Sequence, residues 1–291
     1  MNANNHKSGS HQYPEEYKEA LKFAFEDQLV QKVMPKLRGI ETRGFAKQHC
    51  LDPIRDILDK EKLDIISLYE DDLKKIDPSG RLSDIYASIP SQLALKRNRF
   101  KIAEATKSRR QIKDEERLFN LIDSKIVLPC YNVAQPSIAL AQTRDPETFK
   151  LYISDIGLFT TMIFDGGKGL SSDIYKKLLS DKLSANLGYM YENAIAQIIV
   201  NSGNNLYYHS WRKENSTHSN EIDFLICSKN KIIPIEVKSS ATKSHISMDE
   251  FCKKYSHEVG RRFLFSQKDF SKDGMLELKP IYAVPFLLEN L

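Results

Sequence analysis

Two short segments hold the residues best suited to chemistry: Glu221-Ile222-Asp223-Phe224 and, thirteen residues after Asp223, Glu236-Val237-Lys238. Side chains alternate along a strand, so Glu236 and Lys238 project to one face. Asp223 falls on the preceding strand, and a tight connection at Lys229-Asn230 brings it within reach if the register is favourable. Two carboxylates and a lysine converging on one sheet face suit metal-assisted phosphodiester hydrolysis. Asp223 and Glu236 would supply hard oxygen donors to Mg²⁺ or Mn²⁺; Mg²⁺ keeps several waters and engages a substrate phosphate. Lys238 would orient or deprotonate the attacking water, or offset charge in the transition state. The plainer reading is a solvated Glu236–Lys238 pair worth about 0–1 kcal/mol. Against it, Ile232, Ile233, Ile235 and Val237 mark an internal strand, where a charge needs a partner or a metal.

The elements that must position these residues are legible around them. A helix is predicted from about Ser184 to Asn201, with Leu187, Met190, Tyr191, Ala194, Ile195, Ile198 and Ile199 on a broad apolar face. At 100° per residue Glu192 lies close to Gly188, Ile195 and Ile199, so its carboxylate points toward packed structure and adds a third acid. Strands are expected at 206–211, 221–228 and 231–239, then at 262–266 and 281–284, with Ser247 and Glu250 forming a capping box for an intervening helix. A strand at 150–154 and a helix at 155–164 precede them. Helices and strands in mixed order around one sheet give an α/β domain over 148–291.

Upstream, residues 1–13 lack apolar periodicity and read as a disordered tail, and 14–80 is helical up to the break at Asp77-Pro78-Ser79-Gly80. Residues 81–147 suggest three helices (82–89, 91–98 and 112–122, with Leu118, Phe119 and Ile122 facing inward) and a strand at 125–131. That order suits a winged helix-turn-helix or a packing module of the same topology. The net charge of +4 is unevenly spread. From Lys96 to Lys113 eight basic residues face one acid, Glu104, which leaves the rest of the chain at −3. Lys96, Arg97, Arg99, Lys107, Arg109 and Arg110 are therefore candidate phosphate contacts, against the alternative of a solvated face.

Other chemistries are excluded. The Asp165–Gly169 loop fails the P-loop pattern, because Met162 stands where the first glycine belongs and Gly169 follows Lys168, so no nucleotide-binding site is expected. The four cysteines, Cys50, Cys130, Cys227 and Cys252, form no C-x-x-C pair, which speaks against a zinc ribbon or a disulfide framework. No apolar run approaches the roughly 18 residues of a membrane span, and no secretory leader is evident, so a cytoplasmic protein without membrane contact is expected. His209, His218, His245 and His257 lack metal spacing, Trp211 reads as a packing anchor, and Ser171 and Ser172 have no nucleophile arrangement around them.

Helix glutamate, strand aspartate and E-x-K on the next strand together resemble the PD-(D/E)xK nuclease superfamily. That resemblance implies metal binding by Asp223 and Glu236, assistance to the nucleophile by Lys238, and Glu192 as the helix acid. A wider likeness joins FEDQLVQKVMP at 25–35, YEDDL at 69–73, IPSQL at 89–93, KLY with DIGL at 150–158, Trp211-Arg212, EIDF and PIEVK. In this order they are similar to the C-terminal part of prokaryotic AAA+-type ATPases that bear a nuclease-like domain of unknown function. The resemblance implies an ATPase core that is missing here, so ATP hydrolysis is not expected of this chain. The long polar segment Lys213–Asn220 departs from the pattern and could loosen the approach to Asp223. The expected function is a nuclease-like DNA-processing or DNA-binding module. The alternatives are a non-catalytic module that binds nucleic acid or a protein partner such as a separate ATPase, and a fragment separated from its P-loop core.

Overall fold

A computed structural model describes residues 46–107, 113–164, 188–212, 219–239, 245–289 and 291. The expected tail, the helical region before Ala46, the Asp165–Gly169 loop, Arg109, Arg110 and His218 lie outside these residues. The chain divides into two compact units, 1–59 and 60–291. Among the described residues no helix is long and apolar enough to cross a membrane.

Helix α1 runs Ala46–Ile76 and stops at the Asp77-Pro78-Ser79-Gly80 turn. Gly80, at φ 77°, adopts the left-handed conformation that favours glycine and leads into α2, Arg81–Ala94. Asp77 Oδ2 accepts the Leu82 N–H at 3.1 Å, satisfying one free donor of that helix end. Leu82, Ile85, Tyr86 and Ile89, at helical spacing, are fully buried. Each such aliphatic side chain contributes roughly 1.5–3 kcal/mol. The two helices expected over 82–98 are one, because Pro90 sits inside α2. Proline removes one backbone bond. Ser88 Oγ donates to the Ile85 carbonyl at 2.9 Å, and Ser91 Oγ to that of Ser88 at 2.8 Å, which supplies local bonds around the break.

Two short helices follow, α3 at Ile102–Ala105 and α4 at Asp114–Asp123. In α4 Leu121 is fully buried and Leu118 and Ile122 pack partly against the core, but Phe119, expected inside, is 67% exposed. A buried ion-pair network joins α2 to α4. Asp114 accepts from Arg81 Nε at 3.0 Å and Nη2 at 2.6 Å, and from Arg117 Nη1 at 3.0 Å, while Arg117 Nε reaches Asp77 at 2.8 Å.

Strands β1 (Val127–Val133) and β2 (Arg144–Ile153) pair antiparallel, and β1 then pairs parallel with β3 (Leu206–Arg212). With β4 (Ser219–Ser228), β5 (Lys231–Val237), β6 (Arg262–Ser266), β7 (Ser271–Asp273) and β8 (Leu276–Pro280) they make one eight-stranded sheet, in the order β2-β1-β3-β4-β5-β6-β8-β7. The mixed α/β class is as expected. The boundary expected at 147/148 falls inside β2, and the expected β-wing is part of the sheet that carries the site. The reason is burial: Cys130, Tyr152 and Leu151 of this hairpin are enclosed by the core and could not remain on a free-standing wing.

Helix α5 is Ile156–Phe164 and α6 is Gly188–Asn201. Helix α7, Ile246–Lys254, begins without a side-chain cap: Ser247 lies inside it and Glu250 bonds Asn220, so the expected capping box is absent. The strand expected at 281–284 is a 3₁₀ turn, Ile281–Ala283, leading into α8, Val284–Glu289. Ile195, Ile199, Val284 and Leu287 pack with one set of strand residues, Tyr208, Phe224, Ile235 and Phe263. Met248 and Phe251 of α7 pack with another, Ile222, Leu225, Ile232 and Leu264.

Candidate functional site

The β4–β5 hairpin turns at Lys229-Asn230, with Lys229 at φ 55° and Ser228 paired with Lys231. That register continues through Phe224 opposite Ile235 and brings the Asp223 and Glu236 backbones to the same level. A bulge then aims the aspartate. β3 pairs Tyr207 with Leu225 but His209 with Ile222, so Tyr208 alone faces both Asp223 and Phe224. Such an insertion bends the strand and redirects a side chain. Asp223 Oδ2 accepts the Val237 N–H at 2.7 Å, which ties it to the strand that carries Glu236.

Glu192 is placed by its neighbour. Asn193 is fully buried, and its amide accepts from the Ile153 N–H and donates to the Ile153 carbonyl, both at 2.9 Å. Gln197 Oε1 accepts the Ile156 N–H at 3.0 Å, one turn further along. Helix α6 is thereby fixed to the end of β2.

Glu192, Asp223, Glu236 and Lys238 all line one cavity of about 410 Å³. Two charged groups beyond the sequence motif share it, Lys150 of β2 and Glu221 of β4. Lys150 Nζ donates to Glu221 Oε1 and lies 5.0 Å from the centre of the Tyr208 ring. Glu221 carried a usable signal, since it stands two residues before Asp223 on one strand. Lys150 carried none, because β2 and β4 are distant in sequence.

The cavity also explains part of the basic run. Lys96 and Arg97 line it, whereas Arg99 and Lys107 do not. The loop after α2 is held by Gln92, whose amide accepts the Lys101 N–H at 2.8 Å and donates to the Lys101 carbonyl at 3.2 Å. The Phe100 N–H bonds the Phe149 carbonyl at 2.7 Å, and the Tyr208 hydroxyl donates to the Asn98 carbonyl. Lys96 closes the helix in the left-handed region, at φ 50°. Glu104, the one acid of the run, engages Arg97 and lies 3.2 Å from Lys101.

Burial dominates the electrostatics. It pushes the Glu192 and Asp223 carboxyls above the usual range, with Asp223 adding to the rise at Glu192 and Lys150 opposing both. Glu236, 5% exposed, is pushed up to about 7 by burial and then by Asp223, with Lys238 opposing. Burial disfavours the charge on Lys150, but Glu221, Glu192 and Asp223 outweigh it and hold the ammonium above its ordinary value.

Glu236 Oε2 is buried without a hydrogen-bond partner, and Lys238 Nζ stands 3.6 Å from it. A hard divalent cation suits such an oxygen, and Mg²⁺ sites are commonly built on one or two carboxylates plus waters. The Asp223–Glu236 pair fits that donor set. Among the described residues no group of three or more His, Cys, Asp or Glu is placed to hold a metal ion.

The remaining candidates are structural. His209 is buried, with Nδ1 2.7 Å from the Val133 carbonyl oxygen and Nε2 3.2 Å from the Tyr255 hydroxyl, and Trp211 stacks on its ring. His245 lies 3.5 Å from Asp249 and 3.7 Å from Asp273, and His257 uses its carbonyl to accept from Lys231.

The fold and site define a mixed α/β domain with a carboxylate-lined cavity at the β4–β5 hairpin. Residues 187–284 match DUF4143, a domain of unknown function known in AAA-ATPase-associated C-terminal regions. Residues 56–171 match a second domain of unknown function, DUF8612, which runs from within α1 past the end of α5. No curated protein and no solved structure matches the chain.

Proposed function

We propose that this chain is a PD-(D/E)xK-like, metal-dependent nuclease module that acts on DNA. The observation that carries the reading is the convergence of Glu192, Asp223, Glu236 and Lys238 on one cavity with Lys96 and Arg97 in its wall. Asp223 and Glu236 would hold Mg²⁺ or Mn²⁺, which when bound supplies Lewis-acid stabilisation of the phosphate. Lys238 orients the attacking water or offsets charge at the phosphate, and Glu192 adds a carboxylate whose burial keeps it easily protonated. Lys96 and Arg97 attract the phosphodiester to an otherwise acidic cavity, with Arg99, Lys107, Arg109 and Arg110 as further backbone contacts. Mg²⁺- or Mn²⁺-dependent nicking of plasmid DNA, lost in folded Asp223→Ala and Lys238→Ala proteins, is the expected result. No cleavage of DNA or RNA with either metal would overturn the proposal.

A second reading is favoured by one observation: among the described residues no three acids or histidines are arranged to hold a metal. On it the chain is a non-catalytic module that binds nucleic acid or a separate ATPase. The DUF4143 match suits an ATPase-associated role. Binding without turnover, unaffected by Asp223→Ala, is its signature.

A further inference from the structure

The carboxylate cavity does not end at Arg97. Arg97 and Lys150 also line a second, shallow cavity of about 10 Å³, whose wall passes on to Arg99 and Phe100. Those two residues in turn line a third cavity, of about 230 Å³, with Lys101, Ile102, Ala103, Glu147 and Phe149. Shared walls therefore join the three into one trough that follows the loop after α2. The loop is pinned at Asn98, Phe100 and Lys101 by Tyr208, Phe149 and Gln92, so the trough is in place before anything binds.

The two ends of the trough differ in chemistry. At the carboxylate end the wall is balanced, with Lys96, Arg97, Lys150 and Lys238 against Glu192, Glu221, Asp223 and Glu236. Beyond Arg97 the wall adds Arg99 and Lys101 against one acid, Glu147. Glu104 engages Arg97 and Lys101 from outside the wall, and Asp145 is near enough to feel Arg99, so net charge alone selects no partner. What distinguishes the third cavity is its apolar surface. Phe100, Ile102 and Phe149 are buried, the two rings lie 21° from parallel, and Ala103 and Arg99 are exposed beside them. At about 230 Å³ it is smaller than the roughly 300–1,000 Å³ of sites for drug-sized ligands, which leaves room for one flat ring system.

We propose that the trough holds an unpaired DNA strand, with the reacting phosphate at the carboxylates, an adjoining phosphate on Arg97 and Arg99, and one base seated against Phe100 and Phe149. This rests on the DNA-directed reading above and names its substrate class. Cations interleaved with aromatic surface are how sequence-tolerant single-strand binders work, because the phosphates repeat and every base has a π face. A base within a duplex is paired and stacked, and it cannot enter such a cavity without being extruded. The shallow middle section suits a backbone that crosses it, since it has room for roughly one water and not for a base. Negative supercoiling favours strand opening, so nicking of plasmid DNA remains the expected result.

The test is fluorescence anisotropy of the full chain, in EDTA and again with Ca²⁺, so that binding is read apart from cleavage. Three labelled probes of about twelve nucleotides are compared: oligothymidylate, an abasic strand with the same phosphates, and a blunt duplex. Wild type should bind the oligothymidylate at least about tenfold more tightly than either of the others. Ala103→Leu, which narrows the third cavity from an exposed position, should weaken oligothymidylate binding and leave the abasic strand unchanged. Arg99→Gln should weaken both single strands and lower the slope of log affinity against log salt by about 0.7, the value for one phosphate of a single strand. Equal wild-type affinity for oligothymidylate and duplex, or for oligothymidylate and abasic strand, overturns the inference and leaves the nuclease reading standing. Because that comparison is made on wild type, it decides the matter even if a variant fails to fold. Wild type that binds none of the probes in either condition overturns the inference and the DNA-directed reading together.

Discussion

The Val237 N–H donates to Asp223 Oδ2 at 2.7 Å, so the strand that carries Glu236 also holds the other carboxylate in place. Asp223→Asn can keep that hydrogen bond through its amide oxygen while losing the negative charge. We expect this variant to fold with a melting temperature within a few degrees of wild type and to lose Mn²⁺ affinity by at least about tenfold. Circular dichroism and titration calorimetry read the two quantities separately. Wild-type affinity in a folded Asp223→Asn protein would remove Asp223 from the proposed metal site.

The buried carboxylates make a signed pH prediction. The folded-state pKa of Glu236 is raised to about 7, above its ordinary value of 4.5. The folded protein therefore retains a proton that the unfolded chain releases between about pH 4.5 and 7, and stability without metal falls as pH rises through that window. Asp223 and Glu192 shift in the same direction. Glu236→Gln removes one contribution. Its melting temperature without metal should exceed that of wild type at pH 8 by several degrees, from about 2–3 kcal/mol, and should differ little at pH 4. A destabilised variant at pH 8 would show that Glu236 is charged at no cost.

Asn193 is the pin between α6 and β2. Asn193→Ala leaves the buried Ile153 N–H and carbonyl without their side-chain partners, at a cost of about 2–4 kcal/mol. Denaturant unfolding should show this loss. Cleavage should fall by more than the unfolded fraction explains, because Glu192 is adjacent.

The basic residues divide into two groups that salt dependence can separate. Lys96→Glu with Arg97→Glu should weaken DNA binding and reduce the slope of log affinity against log salt by about one for each phosphate no longer neutralised. Reversal of Arg109 and Arg110 tests the remainder of the run. Unchanged slopes in both variants would assign all of it to a solvated face.

The site was legible where its geometry is local. Alternation and the two-residue turn at Lys229-Asn230 bring Asp223 and Glu236 to one level of a hairpin, and helical periodicity turns Glu192 inward. Three features were hidden for physical reasons. The bulge at Asp223-Phe224 depends on how β3 pairs with β4, which composition does not encode. The 147/148 boundary disappears into β2 because the β1–β2 hairpin gains burial by joining the sheet. Phe119 turned outward because the registry of a ten-residue helix depends on the surface it meets, here settled by Leu121 and the Asp114 ion pairs.

By itself the sequence determined which residue types stand two apart on a strand, which helix carries an acid on its apolar side, and where positive charge accumulates. Only the tertiary structure decided that Lys150 and Glu221 share the cavity and that Lys96 and Arg97 line its wall while Arg99 and Lys107 do not. The physical reason is range. Alternation, helical period and turn chemistry act over a few residues, whereas the contact between Lys150 and Glu221 spans 71 positions and exists only once one sheet has gathered both strands.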